Sequence, residues 1–304
     1  PKRLAVIGGG VIGLEIGMLY QKFGSEVTVV ELADQLLPGT DKDVASTIGK
    51  VCKKRKINVH LQSKAARYEK TSDGLALYVE TASGEVKVAC DKILLSVGRR
   101  PNADAMGLEN IGVITEKGRV PVNNMMQTNL PHIYAIGDVT GGELLAHKAS
   151  KQGMVAAEHA AGMNVVYDVK AMPGAIFTDP EIGAVGLTEA QALDKGIDYI
   201  TGVFPFAASG KAMATGHTEG FAKLIGRKSD RVLIGAHIIG PHASDLISEA
   251  TLGIEMGATI DDIALTVHAH PTTAESLMEA AEVALGHPIH IAPKKKPNLK
   301  KVHG

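Results

Sequence analysis

The sequence has no tryptophan, few aromatic residues (4%) and only two cysteines, Cys52 and Cys90. These cysteines form neither a CxxC nor a CxxxxC pair, so no zinc knuckle and no vicinal redox couple can be drawn from them. They read as two reduced thiols of a cytoplasmic protein, and no metal site is expected. No apolar run approaches the ~20 residues of a membrane span, and the charged start, Lys2-Arg3, runs into a strand and glycines rather than a leader's apolar segment. A membrane partner is therefore not expected. The formal charge is −1 over 304 residues, so nothing marks nucleic acid as the main partner. An initiating methionine is also missing. Residue 1 is Pro, a step from the first strand, and this reads as part of a longer protein with material upstream.

Glycine, by contrast, is plentiful at 34 residues, as expected of an α/β protein with many tight turns. The stretch RLAVIGGGVIGLEIGMLYQKFGSEVTVVE is the most informative. Residues 4–7 read as a buried strand, and Gly8, Gly10 and Gly13 then make G-x-G-x-x-G. Ile12, Ile16, Leu19 and Phe23 recur at helical spacing, residues 27–30 form a second apolar strand, and Glu31 closes it. Strand, glycine turn, helix, strand and an acid about 20 residues on make up the dinucleotide fingerprint. One glycine permits the turn, one lets the backbone approach a pyrophosphate, and one lets the helix lie on the strand. The helix N-terminus offers unpaired N–H groups to phosphate. Glu31 can accept both hydroxyls of an adenosine ribose and would repel a 2′-phosphate. The following residues, LADQLLPG, hold no cation to offset it, so NAD is expected over NADP.

Further on, LALYVET, EVKVAC and KILLSVG read as strands, and Gly98 at the end of the last one permits close approach of a ligand. RRPNADAMG reads as a linker. Residues 133–136 read as a short strand ending in Gly137-Asp138, followed by a helix over 146–161. Taken alone, Gly-Asp at a strand end is a turn as readily as a site. From residue 171 strands come first (AIFTDPEIGAVGLT, YITGVFPF, FAKLIGRKSDRVLIGAHIIG), with a hairpin turn at 228–230. Helices follow, one capped by Ser244 or Asp245, one started by Asp261-Asp262, and a last one over 272–285 with Leu277, Ala281 and Leu285 on one face. Strands then helices indicate an α+β domain. The fold class is thus α/β: a Rossmann-like dinucleotide-binding domain (1–100), a central segment (101–170), an α+β domain (171–290) and a basic tail (291–304), read as solvated.

VHAHPTTAES, residues 267–276, admits two readings. Pro271 suits a first helical turn, and Thr272 with Glu275 has the spacing of a capping box. Alternatively, His270 is an acid/base oriented by Glu275.

In this order, GGGVIGLEIG, VGRRPN, TNLPHIYAIGDV, LLAHKASKQG and HAHPTTAES resemble the flavoprotein disulfide reductases, most closely their dihydrolipoamide dehydrogenase branch, over residues 1 to about 290. The resemblance implies oxidation of dihydrolipoyl groups of 2-oxo acid dehydrogenase complexes by NAD, through FAD and a redox disulfide. It places Gly8, Gly9, Gly10, Val11, Ile12, Gly13, Leu14, Glu15 and Glu31 on NAD, with Gly98 on the nicotinamide side. Glu15 would also lie near the flavin and pair with a lysine of the flavin domain. Asp138 would hold the ribityl or phosphate part of FAD, and Leu144, Leu145, Ala146 and His147 would line the flavin. His270 would be the acid/base for the dithiol protons, held by Glu275, with His268 packing beside it. The last domain would form a homodimer interface, carrying His270 to the other subunit's flavin site. Against this background the dyad reading of HAHPTTAES takes precedence, and the cap can coexist with it. The family's first domain, with a second G-x-G-x-x-G and a CxxxxC pair, has no counterpart in this sequence, so the chain alone is expected to be inactive. Glutathione reductases share the HPxxxE layout but use NADP with basic residues after the second strand, which Glu31 and LADQLLP argue against. Mercury reductases lack this histidine and end in a cysteine pair. A different class of reading is a non-catalytic module that binds NAD and dimerises.

Overall fold

The computed structural model describes residues 1–104 and 106–293. Most of the basic tail lies outside the described residues. The chain divides into two compact units, one made of residues 1–97 with 173–304, the other of residues 98–172.

The first unit begins with β1 (Arg3–Ile7), α1 (Val11–Lys22), β2 (Glu26–Val30), α2 (Lys42–Lys54) and β3 (Asn58–His60). A meander of β4 (Lys64–Thr71), β5 (Gly74–Thr81) and β6 (Gly84–Cys90) leads to β7 (Lys92–Leu95). The parallel sheet has the order β3-β2-β1-β7, and the meander is a separate three-stranded sheet. β1 is central and wholly apolar inside, with Leu4, Ala5 and Val6 buried. Its Val6 face packs with Leu14 and Met18 of α1 and with Val44, Ile48 and Val51 of α2. Its Ala5 face packs with Leu77, Val79, Val88 and Cys90 of the meander.

Several sequence expectations are corrected here. On α1 the buried residues are Gly13, Leu14, Gly17 and Met18. Ile12, Leu19 and Phe23 are exposed. Gly13, not the expected apolar stripe, meets the strand end, where a Cβ would lie 2.0 Å from the Gly8 carbonyl oxygen. The KVCKKRK segment around Cys52 has the composition of a surface helix, but Cys52 itself is buried. α2 is amphipathic, and Val44, Ala45, Ile48, Val51 and Cys52 form its buried stripe. Burial pushes the Cys52 thiol up to about 11, so it is a poor nucleophile at neutral pH. β4 was not read from the sequence, because KAARYEKT is an edge strand with almost no buried positions. Arg67 on it stacks over the Tyr78 ring at 3.8 Å.

The same unit continues with β8 (Gly174–Ile176), β9 (Glu181–Gly186), α4 (Glu189–Asp194), β10 (Tyr199–Pro205) and α5 (Gly210–Thr215); α3 belongs to the second unit, below. Then come β11 (Phe221–Arg227), β12 (Leu233–Gly240), α6 (Ala243–Met256), α7 (Ile260–Leu265) and α8 (Glu275–Leu285). The antiparallel sheet runs β10-β11-β12-β9-β8, with α8 on β10 and β11, and α6 on β9 and β12. One core joins this sheet to the parallel one: Ile176, Ile182, Phe221 and Ile239 share a cluster with Leu4, Val27 and Ile48. A buried ion group reinforces the joint. The Lys223 ammonium, on β11, donates to Asp41 at 3.0 and 3.2 Å and to Asp43 at 2.7 Å, and it also pairs with Glu189.

Two helix starts differ from expectation. His242, at φ 58°, precedes α6, and neither Ser244 nor Asp245 caps it. Ser244 instead donates its hydroxyl to Glu181 at 2.7 Å. α7 is capped by Thr259, with Asp262 completing the capping box.

The second unit holds a 3-10 turn (Gly137–Thr140) and α3 (Ala146–Ala160). Residues 133–136 are not a strand. Tyr134 makes only an isolated bridge to Gln127, and Ile133 and Ala135 pack on a small cluster around Ala103, Val113 and Val120. An apolar run too short to find a ladder was misread as one.

Two stability outcomes follow from these contacts. A Cβ on Gly13 would lie 2.0 Å from the Gly8 carbonyl oxygen, whereas one on Gly10 would meet open space. Gly13→Ala is expected to cost about 3 kcal/mol in urea unfolding, and Gly10→Ala less than about 1 kcal/mol; equal losses would contradict the packing. His237, buried on β12 opposite Lys223, donates Nε2–H to the Leu187 carbonyl at 3.0 Å. Burial, the largest effect, keeps its imidazole below the ordinary 6.5. The unfolded chain therefore takes up this proton first, and the stability present above about pH 6.5 is lost as pH falls through that value towards the folded one. His237→Gln is expected to flatten this part of the acid limb. An unchanged limb would show that His237 does not contribute to it.

Candidate functional site

Each glycine of the first turn occupies a different local situation. Gly8 has φ 102°, and a Cβ there would lie 2.4 Å from the Ser96 carbonyl oxygen, so only glycine can make this turn. Gly9 lies under Leu36 and Glu31, with Leu36 Cδ2 2.8 Å from where its Cβ would be. Gly10 has nothing within 4 Å of that position. No side chain caps α1 at Gly10, and Val11 and Ile12 beside it are exposed. This is an open helix N-terminus with its backbone donors towards solvent, a fit for a phosphate. Gly13 packs against Gly8 and Val6, and Leu14 is buried behind it. Ser96, which the motif did not indicate, locks the turn. Its hydroxyl donates to the Ile7 carbonyl at 2.9 Å and to Gly8's at 3.1 Å.

Glu31 ends β2 and is only 8% exposed. Its Oε2 accepts from Gly9 N–H at 2.6 Å and its Oε1 from Ala33 N–H at 2.7 Å. The carboxylate is thus fixed beside the glycine turn, and each oxygen retains capacity for a further donor. Glu15, half-buried on α1, accepts from Phe177 N–H at 2.8 Å. Gly98 has φ 113° with open space around it.

In the second unit, Asp138 is exposed within the 3-10 turn. Gln152 holds that turn from α3, accepting from Gly137 N–H at 2.8 Å. Leu144 and Leu145 are half-buried, and Ala146 and His147 open α3, which no side chain caps. Buried Lys148 donates to the Gly141 carbonyl. This unit thus presents an exposed carboxylate, an uncapped helix start and two half-buried leucines.

At the other end of the first unit, the His270–Pro271 peptide is cis. Pro271 and Thr272 lie before α8, which begins at Glu275, not within its first turn. Glu275 meets His270 as expected but does not cap α8, whose start carries no side-chain cap. Its Oε1 accepts from His270 Nδ1–H at 2.9 Å, and its Oε2 from Thr272 N–H at 2.8 Å. The reciprocal half of the capping box is absent, since the Thr272 hydroxyl turns to the Ala269 carbonyl at 2.7 Å. Burial pushes the Glu275 carboxyl up, but Thr272 and His270 outweigh it and hold it below its ordinary 4.5. The carboxylate is charged at neutral pH and fixes which nitrogen of His270 carries the proton. The His270 side chain is 77% exposed, with Nε2 available for proton exchange. His268 does not join this pair. Its side chain is buried, with Nε2 on Glu249 at 2.9 Å and Nδ1 on the Thr266 carbonyl at 2.8 Å. Glu249 had no signal in the motif, because it comes from the middle of α6. A second pair, His290 with buried Glu279, lies one helical turn beyond Glu275. It too was invisible in the sequence.

The pyridine nucleotide-disulphide oxidoreductase family matches residues 1–153, and the dimerisation domain of that family matches residues 172–281. A dihydrolipoyl dehydrogenase of Geobacillus stearothermophilus is 51% identical over 97% of this chain and 63% of its own length. One from Bacillus subtilis (strain 168) is 47% identical over 96% of this chain and 62% of its own. The chain thus spans a little under two thirds of the curated relatives it matches. Among solved structures, LpdA from Mycobacterium tuberculosis superposes with a TM-score of 0.84 at 30% identity, covering 93% of this chain and 61% of that one. The HOCl-induced flavoprotein disulfide reductase RclA from Escherichia coli gives 0.85 at 26% identity, covering 93% and 65%. With both family matches in chain order and relatives aligned over nearly all its residues, the chain belongs to the pyridine nucleotide-disulphide oxidoreductases.

Proposed function

We propose that this chain supplies the NAD-binding turn and the acid/base dyad of a dihydrolipoyl dehydrogenase. The observation that carries this is the His270–Glu275 pair at 2.9 Å, in a chain 51% and 47% identical to dihydrolipoyl dehydrogenases. NAD lies across the glycine turn, its pyrophosphate at the Gly10–Ile12 backbone and its adenosine ribose on Glu31. Gly9, Gly13 and Leu14 shape this surface, Glu15 follows on the helix, and Gly98 is assigned to the nicotinamide side on the family resemblance. A 2′-phosphate on the ribose would be repelled by a carboxylate that cannot turn away, because two backbone N–H groups hold it. FAD, when bound, would supply one of two relays between the dithiol and the nicotinamide, the other being a redox disulfide that Cys52 and Cys90 do not provide. Asp138 and Leu144–His147 are the residues of this chain proposed to hold FAD.

The net reaction converts a dihydrolipoyl dithiol and NAD⁺ to the lipoyl disulfide, NADH and a proton. His270 takes a thiol proton at Nε2, Glu275 stabilises the imidazolium, and the proton then leaves to solvent. The dithiol is carried by the lipoyl domains of 2-oxo acid dehydrogenase complexes, in the cytoplasm, where buried reduced Cys52 and Cys90 are at home. Among the described residues no helix is long and apolar enough to cross a membrane. A homodimer forms through residues 171–290. Leu252, Met256, Leu265 and Val267 are exposed there, the last two at 82% and 95%, and these apolar surfaces suit a second copy.

Titration by nucleotide fluorescence is expected to show tighter binding of NADH than NADPH. Glu31→Ala weakens NADH and narrows the difference, and Gly10→Ala weakens both by at least about tenfold by crowding the pyrophosphate. Tighter NADPH would overturn the cofactor assignment. The dyad is tested in mixed dimers with a full-length dihydrolipoyl dehydrogenase subunit whose own acid/base histidine has been replaced. Loss of a positioned acid/base costs ~10²–10⁴ in rate, so even a small mixed fraction is visible. The wild-type chain restores dihydrolipoamide oxidation and His270→Gln does not; equal rescue by both leaves the His270–Glu275 pair a structural contact without chemistry.

A further inference from the structure

We propose that Lys223, on the antiparallel sheet of the last domain, is a positioning residue for the adenosine end of the dinucleotide site, acting through Asp41 and the 32–40 loop. The inference rests on the NAD reading above for its ligand, though not for its geometry.

The route is a set of hydrogen bonds joined through the backbone of the 32–41 segment. Lys223 is 1% exposed and grips both carboxylate oxygens of Asp41. Burial opposes its charge, but the hydrogen bonds from Asp43, Glu189 and Asp41 outweigh that and hold the ammonium protonated. Asp41 is therefore fixed at the start of α2, where it also accepts from Asp43 N–H at 3.0 Å. Immediately before it, Thr40 donates its N–H at 3.0 Å and its hydroxyl at 2.6 Å to the Leu37 carbonyl. Gln35 Nε2 donates to the Thr40 carbonyl at 3.1 Å. Leu37 donates its N–H to the Gly9 carbonyl at 2.9 Å, and Gly9 donates to Glu31. The loop begins at Ala33 N–H on the other Glu31 oxygen.

Two features show that this loop is held rather than merely resting there. Leu37 has φ 51°, a left-handed conformation that a leucine keeps only when its surroundings impose it. Leu36 and Leu37 are also buried in the core that the two sheets share, so the loop cannot shift at Asp41 without moving beside Gly9. A loop tied to Glu31 at one end and to Lys223 at the other sets the aim of that carboxylate. Ribose recognition thereby depends on a residue far along the chain, in the domain matched to dimerisation.

Asp41→Asn is the incisive variant. Asparagine caps a helix as well as aspartate, so α2 keeps its start while the charged tie to Lys223 is lost. Lys223→Met removes the tie from the other side, with circular dichroism to check folding. Glu219→Gln is the control; it breaks the ion pair with Lys54, which also links the two halves of this unit but lies away from the loop. NADH affinity is measured well below the unfolding temperature, and hydrogen exchange is followed at the Gly9 and Leu37 amides in the nucleotide-free protein. Asp41→Asn is expected to raise the NADH Kd about tenfold and to speed exchange at both amides, and a folded Lys223→Met to do at least as much. Glu219→Gln changes neither. Unchanged NADH affinity in Asp41→Asn overturns the proposal, whether exchange speeds up or not. If the wild-type chain binds no NADH, it is the NAD reading that fails, and the exchange arm alone then decides whether Lys223 is coupled to the turn.

Discussion

The dinucleotide half of this chain depends on how closely α1 can approach the end of β1. The distance is set by Gly13, where even a methyl group would lie 2.0 Å from the Gly8 carbonyl oxygen. That close contact fixes the helix over the strand, buries Leu14 and Met18, and aims the helix N-terminus past Gly10 into open space. Ser96 secures the same point from β7, with its hydroxyl on the Ile7 and Gly8 carbonyls. Gly8 N–H also donates to the Val30 carbonyl at 2.9 Å, so the ends of β1, β2 and β7 meet at one backbone position. The apolar residues that a helical wheel would send inward, Ile12 and Leu19, are exposed as a consequence.

Electrostatics does comparable work at three carboxylates, each held in place before any ligand arrives. Glu31 is fixed by two backbone N–H groups, Glu275 by Thr272 and His270, and Asp41 by Lys223. A held carboxylate discriminates better than a mobile one, because it cannot rotate to avoid a repulsive partner. The buried Lys223 group would be costly if incomplete, since removing one partner of such a cluster typically costs about 3–5 kcal/mol. Together with the shared core of Leu4, Val27, Ile182 and Phe221, it makes one unit of two segments separated by the whole of residues 98–172.

Much of this was legible in the sequence, for identifiable reasons. The β1–α1–β2 unit and Glu31 could be read because strand, glycine and helix periods change at fixed positions. The β11–β12 hairpin could be read because two apolar runs flank a polar turn. The residues of HAHPTTAES left cap and dyad open, and only the family resemblance paired His270 with Glu275; the two side chains are hydrogen-bonded, while α8 starts without a side-chain cap. What escaped had no local signature. β4 is an edge strand without alternation, and 133–136 has a strand's composition but no ladder. Ser96, Glu249, Glu279 and Lys223 matter only through partners distant in sequence. The α6 start was misassigned because His242 supplies a left-handed turn where a side-chain cap was expected.

The central claim is that a dinucleotide lies across the open start of α1 with its ribose on Glu31. Amide chemical-shift mapping during an NADH titration of the isotope-labelled chain tests this most directly. The account expects the largest shifts at Gly10, Val11 and Ile12, with a second group at Glu31 and Ala33. Saturable binding with shifts centred elsewhere, and those five amides unmoved, would contradict it.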